Sequence, residues 1–120
     1  MNPSTVNLAR SFARFADHWH PRIVGELNGQ HVKLAKLKGE FIWHSHAEED
    51  EMFLVTKGVL RMRFRDREET IGPGEFIIVP RGVEHLPVAE EEVEVMLFEP
   101  ASTVNTGEAG GERTVDADWL

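Results

Sequence analysis

The stretch Gly39-Glu-Phe-Ile-Trp-His44-Ser-His46-Ala-Glu-Glu-Asp-Glu51-Met-Phe-Leu-Val-Thr-Lys-Gly58 decides how this chain is read. On a strand, residues i and i+2 project to the same face, about 7 Å apart along the chain. His44 and His46 therefore point the same way and can chelate one ion. Glu51, opening the next strand, can add a carboxylate oxygen from an adjacent position. It shares its strand phase with Phe53 and Val55, which places it inward and makes Asp50 the weaker rival. A second stretch, Gly74-Glu-Phe-Ile-Ile-Val-Pro80-Arg-Gly82-Val-Glu-His85, brings a further imidazole from a distant strand. Three His and one carboxylate make a nitrogen–oxygen site suited to one divalent ion per chain: Zn, Fe, Mn, Ni or Cu. The ligand set does not choose among them.

Outward from these stretches the pattern is one of strands. Asn28-Gly29 is a two-residue hairpin signal, since a type I′ turn needs positive φ at both central residues; it joins Arg22–Leu27 to Gln30–Lys38. After Lys57-Gly58, Leu60, Met62 and Phe64 alternate with Arg61, Arg63 and Arg65: apolar inward, a solvated charged stripe outward. Asp66-Arg67-Glu68 and Gly72-Pro73-Gly74 are turns, Phe76–Val79 is a buried strand, and Pro80-Arg81-Gly82 turns again. Val83–Val88 and Val93–Phe98 follow as two more strands. Many short strands punctuated by Gly and Pro argue for a β-sandwich or barrel.

At the N-terminus, Leu8, Phe12, Phe15 and Trp19 stand at helical spacing, so Asn7 to Trp19 reads as a short amphipathic helix ended by Pro21. His18-Trp19-His20 is a second His-x-His, but it falls at that helix end and reads as a surface or capping pair. The organisation expected is an N-terminal helical segment at 1–21, a barrel at 22–100, and an irregular tail at 101–120 that Val115 and Trp119 pin to the body. Met52–Val55 and Phe76–Val79 are apolar on both strand faces, and such a sheet must be covered on both. The helix covers one patch and a second subunit another, so a homodimer is expected.

The two histidine stretches resemble the two motifs of the cupins. The first matches G-(x)5-H-x-H-(x)3,4-E-(x)6-G at His44, His46, Glu51 and Gly58. The second matches G-(x)5-P-x-G-(x)2-H-(x)3-N at Gly74, Pro80, Gly82 and His85. Gly39 lies one residue closer to His44 than the pattern asks, and Ala89 stands where it has Asn; neither departure touches a ligand. The resemblance implies an all-β, double-stranded β-helix (jelly-roll) barrel with a short N-terminal helix. It also implies that His44, His46, Glu51 and His85 line the interior around a metal with open positions for water or substrate. It says little about the reaction, because this barrel hosts many chemistries. The likeness extends to small stand-alone cupins labelled sugar-phosphate-isomerase-like, a label that reflects fold.

Composition bounds the function. The net charge of −8 weighs against nucleic-acid binding. No apolar run approaches the ~20 residues of a membrane span. Met1 to Phe15 does not read as a secretory signal, which leaves a cytoplasmic protein as the expectation. Cysteine and tyrosine are absent, so proton transfer falls to His, Asp, Glu, Lys or a metal-bound water. The leading expectation is an enzyme acting on a small oxygen-rich metabolite, a sugar, uronate or keto acid, by isomerisation, ring opening or lyase-type proton transfer. Glu51, partly released from the ion, would act as the catalytic group. A metal-dependent dioxygenase is the second enzymatic reading, and a non-catalytic small-molecule-binding or sensor module is the rival from another class. No Lys/Arg clamp for a phosphate can be located by pattern. His31 reads as an exposed strand residue. Ile42, Val83 and Pro87 are candidate pocket lining by parity with the histidines.

Overall fold

A computed structural model describes residues 3–120; Met1 and Asn2, which open the expected 1–21 segment, lie outside it. The elements in order are α1 (Leu8–Phe12), β1 (Arg22–Leu27), β2 (Gln30–Glu40), β3 (Glu51–Lys57), β4 (Leu60–Arg63), β5 (Glu68–Ile71), β6 (Phe76–Val79), β7 (Leu86–Pro100) and β8 (Asp118–Trp119). Two long strands are the spine. β2 and β7 run antiparallel from Gln30↔Pro100 to Glu40↔Val88. The first part of β7 pairs with β4, from Arg63↔Leu86 to Arg61↔Val88. Its second part pairs with β3, from Lys57↔Glu94 to Met52↔Phe98. One strand thus serves both walls, and the sheet curls into the expected jelly-roll barrel.

That sharing corrects one expectation. Val83–Val88 and Val93–Phe98 are not two strands: residues 86–100 form one, because both ends keep their ladder to β2. The acidic run Glu90-Glu91-Glu92 between them is exposed on a bend, where the register against β2 shifts between Leu37 and Gly39. A charged run need not end a strand when it can face solvent. The hairpin at Asn28-Gly29 forms as read, with φ of 51° and 76°.

The N-terminal helix is shorter than its apolar spacing suggests. Asn7 caps it, its side chain accepting from the Arg10 amide at 2.9 Å, and it ends at Phe12. Phe12 and Phe15 still bury themselves over Leu34 on the outer face of β2. Trp19 leaves the helical path at φ 61°. Its amide donates to the Lys36 carbonyl at 2.9 Å, its indole to Lys38 at 2.8 Å, and its ring stacks on Phe41 at 4.7 Å. Pairing with β2 displaces the helical hydrogen bonds that the spacing alone implied.

Inside the barrel, Val55, Leu60, Met62, Val93 and Val95 are fully buried. Outside it, β6 departs from the buried strand expected. Phe76 is 60% exposed and Ile78 55%, beside half-buried Met52 and Leu54 on β3. The tail gains a strand: β8 pairs in parallel with β1 at Arg22↔Asp118 and Ile23↔Trp119, and the Leu120 amide donates to the Ile23 carbonyl at 3.0 Å. Backbone pairing holds this end, while the Trp119 ring stays 61% exposed. Among the described residues no helix is long and apolar enough to cross a membrane.

Candidate metal centre

Four side chains, three from residues 44–51 and one from residue 85, meet inside the barrel. His44 and His85 stand just outside the named strands and form an antiparallel bridge. The His44 amide donates to the His85 carbonyl at 3.1 Å and the reverse bond is 2.9 Å. This exchange sets the two imidazoles side by side, centroids 4.2 Å apart. His46, two residues on, projects to the same side as His44, and Glu51 enters from the start of β3. Their relative exposures are 5% (His44), 3% (His46), 5% (Glu51) and 0% (His85). One ligand atom from each lies within 4.8 Å of the others.

The surroundings decide which atoms face inward. His44 Nδ1 is 2.9 Å from the Ile42 carbonyl and His85 Nδ1 is 3.0 Å from the Val83 carbonyl. A carbonyl only accepts, so each Nδ1 carries the proton and each Nε2 keeps its lone pair for the centre, as in metal-binding histidines. Glu51 Oε1 lies 3.3 Å from His46 Nε2 and 3.2 Å from His85 Nε2. Those contacts are close without being aligned hydrogen bonds: His46 Nε2, His85 Nε2 and Glu51 Oε1 are buried without hydrogen-bond partners. Buried polar atoms in a folded protein are normally satisfied. Three orphaned donor atoms aimed at one point fit a cation held at about 2.0–2.2 Å by imidazole and carboxylate.

Electrostatics agree with that use at His44 and Glu51, while at His46 the neighbouring carboxylate favours a proton that a cation would have to displace. Burial, helped by neighbouring His85, lowers the pKa of His44 to about 4, which keeps the ring neutral and its lone pair available. Burial works against charge on Glu51, but His46 and His85 outweigh it and hold the carboxyl well below the usual range. His46 is raised: burial opposes its protonation, and the Glu51 carboxylate beside it more than compensates.

The other candidates separate cleanly. Asp50 faces outward and accepts from the Arg81 amide at 2.8 Å, which occupies both residues away from the cavity. Arg61 and Arg65 pair with Glu68 and Glu84 on the surface. His18 meets Glu92 at 2.7 Å, and His20 meets Asp17 at 3.2 Å and Asp118 at 3.0 Å, so that His-x-His motif splits between surface partners. Pro87 lines the cavity beside the centre with Phe41 and Phe53, whereas Ile42 and Val83 do not; their contribution is the carbonyls just described. His31 is half-buried rather than exposed, its Nδ1 without a partner.

Two residues that the motifs do not point to also line this cavity: Lys33 and Glu99, each 3% exposed. A signal existed. Val93, Val95 and Leu97 face inward, so parity puts Glu99 inward, and Ala35 and Leu37 do the same for Lys33.

The sequence pattern of the cupin domain family matches residues 30–99. The fold is similar to the crystal structure of a cupin-2 domain containing protein from Shewanella frigidimarina NCIMB 400, with TM-score 0.78 and 45% identity, covering 79% of this chain and 93% of that one. It is also similar to protein NMB1881 from Neisseria meningitidis, with TM-score 0.75 and 32% identity over 81% and 99% of the two chains. An uncharacterized Bacillus subtilis protein, YdbB, is 35% identical over 63 residues, 52% of this chain and 56% of that relative, so the match spans little more than half of its length.

Proposed function

The chain belongs to the cupin domain family, and from that premise we propose that it is a metal-dependent enzyme acting on a small oxygen-rich metabolite, a sugar, uronate or keto acid. The observation that carries this reading is the trio of buried, unpartnered donor atoms, His46 Nε2, His85 Nε2 and Glu51 Oε1, where Glu51 and His44 line a mostly apolar cavity. In this reading His44, His46, Glu51 and His85 hold one divalent ion. Such an ion supplies Lewis-acid polarisation of a ligand oxygen or a lowered pKa for water. The chain's own part is to fix the imidazoles through the Ile42 and Val83 carbonyls and to exclude bulk water with Phe41 and Phe53. Glu51 is the carboxylate in position to take up or return a proton. Burial raises the pKa of Glu99 and the Glu51 carboxylate beside it adds to the effect, so a second carboxyl adjoins the first.

The experiment is a metal-reconstitution series with Zn, Fe, Mn, Ni and Cu, assayed against panels for sugar isomerisation, uronate and keto-acid turnover, and oxygen uptake. Metal-dependent turnover of an oxygen-rich substrate supports the reading. Oxygen uptake moves it to a dioxygenase, and ligand-induced stabilisation without turnover moves it to a binding module.

We propose also that the working form is a homodimer. Phe76 and Ile78 lie on β6, whose only partner among the described residues is β3. An uncharged strand with one free edge is paired most simply by the same strand of a second copy about a two-fold axis, which satisfies both edges at once.

A further inference from the structure

The cavity beside the candidate metal centre contains a cation that holding a metal does not require. Lys33 on β2 is 3% exposed, and among the described residues it is the one Lys or Arg that lines this cavity. Its Nζ stands 3.6 Å from Glu99 Oε2. That is an ion pair, but longer than a hydrogen bond. An ammonium has three donors to place, and a single carboxylate at this distance does not use them. Burying a charge this deeply is costly unless it is paired and hydrogen-bonded.

The strand register explains how Lys33 comes to face the metal centre. Met52 pairs with Phe98, which puts Glu51 and Glu99 side by side on β3 and β7, and Lys33 pairs with Leu97 one step further along. Glu51, Glu99 and Lys33 therefore run in sequence from the centre into the cavity. The intervening wall is apolar: Phe53, Leu37, Val95 and Leu97. In such a setting an ionic contact is stronger than in water.

We infer that Lys33 anchors the carboxylate of an anionic substrate whose other oxygen functions face His44, His46, Glu51 and His85. The inference rests on the reading of those four as a metal site, and it narrows the substrate class from oxygen-rich metabolites to organic acids. Charge accounting favours it. Even with Glu51 and Glu99 both ionised, a divalent ion and Lys33 leave positive charge in excess, which an organic anion offsets.

The competing role for Lys33 is purely structural, a charge pair that ties β2 to β7. Zinc-loaded protein distinguishes the two when titrated calorimetrically with matched acid and neutral probes, glucuronate against glucose and glycolate against glycolamide. The wild type is expected to prefer at least one acid over its neutral partner. Lys33→Met is expected to lose that preference by about tenfold or more, the weight of one charge-assisted contact. Lys33→Arg should keep most of it, and zinc content should not change in either variant. Because Lys33→Met leaves Glu99 buried without its partner, the double variant Lys33→Met/Glu99→Gln repeats the test with both charges removed. No acid preference in the wild type, or a preference that survives in the double variant, overturns the anchoring role. Wild-type protein that takes up no zinc fails the metal reading instead, and the metal analysis reports that separately.

Discussion

Gly107 packs its bare Cα against the backbone of Ser45, the residue between two of the candidate ligands. A Cβ built on Gly107 would come within 2.1 Å of the Ser45 carbonyl oxygen and 3.1 Å of His46 Nδ1. The Glu108 amide donates to that same Ser45 carbonyl at 2.9 Å. The C-terminal tail is thus a buttress for the loop that carries His44 and His46, and Thr106, fully buried, seats it.

Replacing Gly107 by Ala is therefore expected to disturb the loop as well as the tail. The backbone there has φ of 55°, and the new methyl meets a carbonyl that cannot yield without moving His46. A loss of roughly 1–3 kcal/mol is expected from strain of this kind. Thermal melting together with hydrogen exchange at residues 44–46 checks it; a melting point within a degree of wild type would show that the tail and the loop are independent.

Asp50 and Glu51 are adjacent acids with opposite fates, and substitution separates them. Asp50→Asn removes a surface contact with Arg81 and should leave zinc affinity within about twofold, as exposed ion pairs contribute little. Glu51→Gln removes the buried anionic ligand and should weaken zinc binding by about tenfold or more. Competition titration with a chromophoric chelator measures both. Equal losses in the two variants would contradict the assignment.

The metal-free protein should lose stability in mild acid through His44. Its folded pKa is about 4 against an ordinary value of 6.5, so between these limits the unfolded chain binds a proton that the folded chain does not. Stability from this group is complete above pH 6.5 and lost as pH falls to 4. At about 1.4 kcal/mol per unit, the contribution reaches at most about 3 kcal/mol. His46, raised in the folded state, acts in the opposite sense, because its contribution is lost as pH rises. Denaturant melts at pH 7 and pH 4.5 should show a smaller drop for His44→Gln than for wild type. A drop of equal size in both would remove His44 as the cause.

The outer face of β6 supplies a test of assembly. Light scattering after size exclusion should give twice the chain mass of 13.6 kDa. Ile78→Glu places a charge at the centre of the apolar face and should return the monomer with its melting transition intact. A monomeric wild type would discard the dimer.

The barrel and the convergence of four candidate side chains were legible because both are written in period-2 alternation and in fixed spacings of His, Glu, Gly and Pro. Lys33 and Glu99 were harder to see. Leu34, next to Lys33, is buried as well, beneath α1 on the outer face of β2, so burial on both faces hides the strand's phase. That Glu99 adjoins Glu51 becomes apparent only once the β3–β7 register is known, and register between strands so far apart in the chain is a tertiary property. The helix was overextended for a related reason: an apolar stripe at helical spacing is satisfied equally by Phe15 and Trp19 packing on β2 and Phe41 without helical hydrogen bonds.

Whether three imidazoles and a carboxylate from residues 44–51 and 85 close on one ion is read by elemental analysis of zinc-reconstituted protein. One zinc per chain is expected in the wild type and well under half of that in His85→Ala after the same dialysis, with the circular dichroism of the barrel retained. Full zinc occupancy in folded His85→Ala, or none in the wild type, would contradict it.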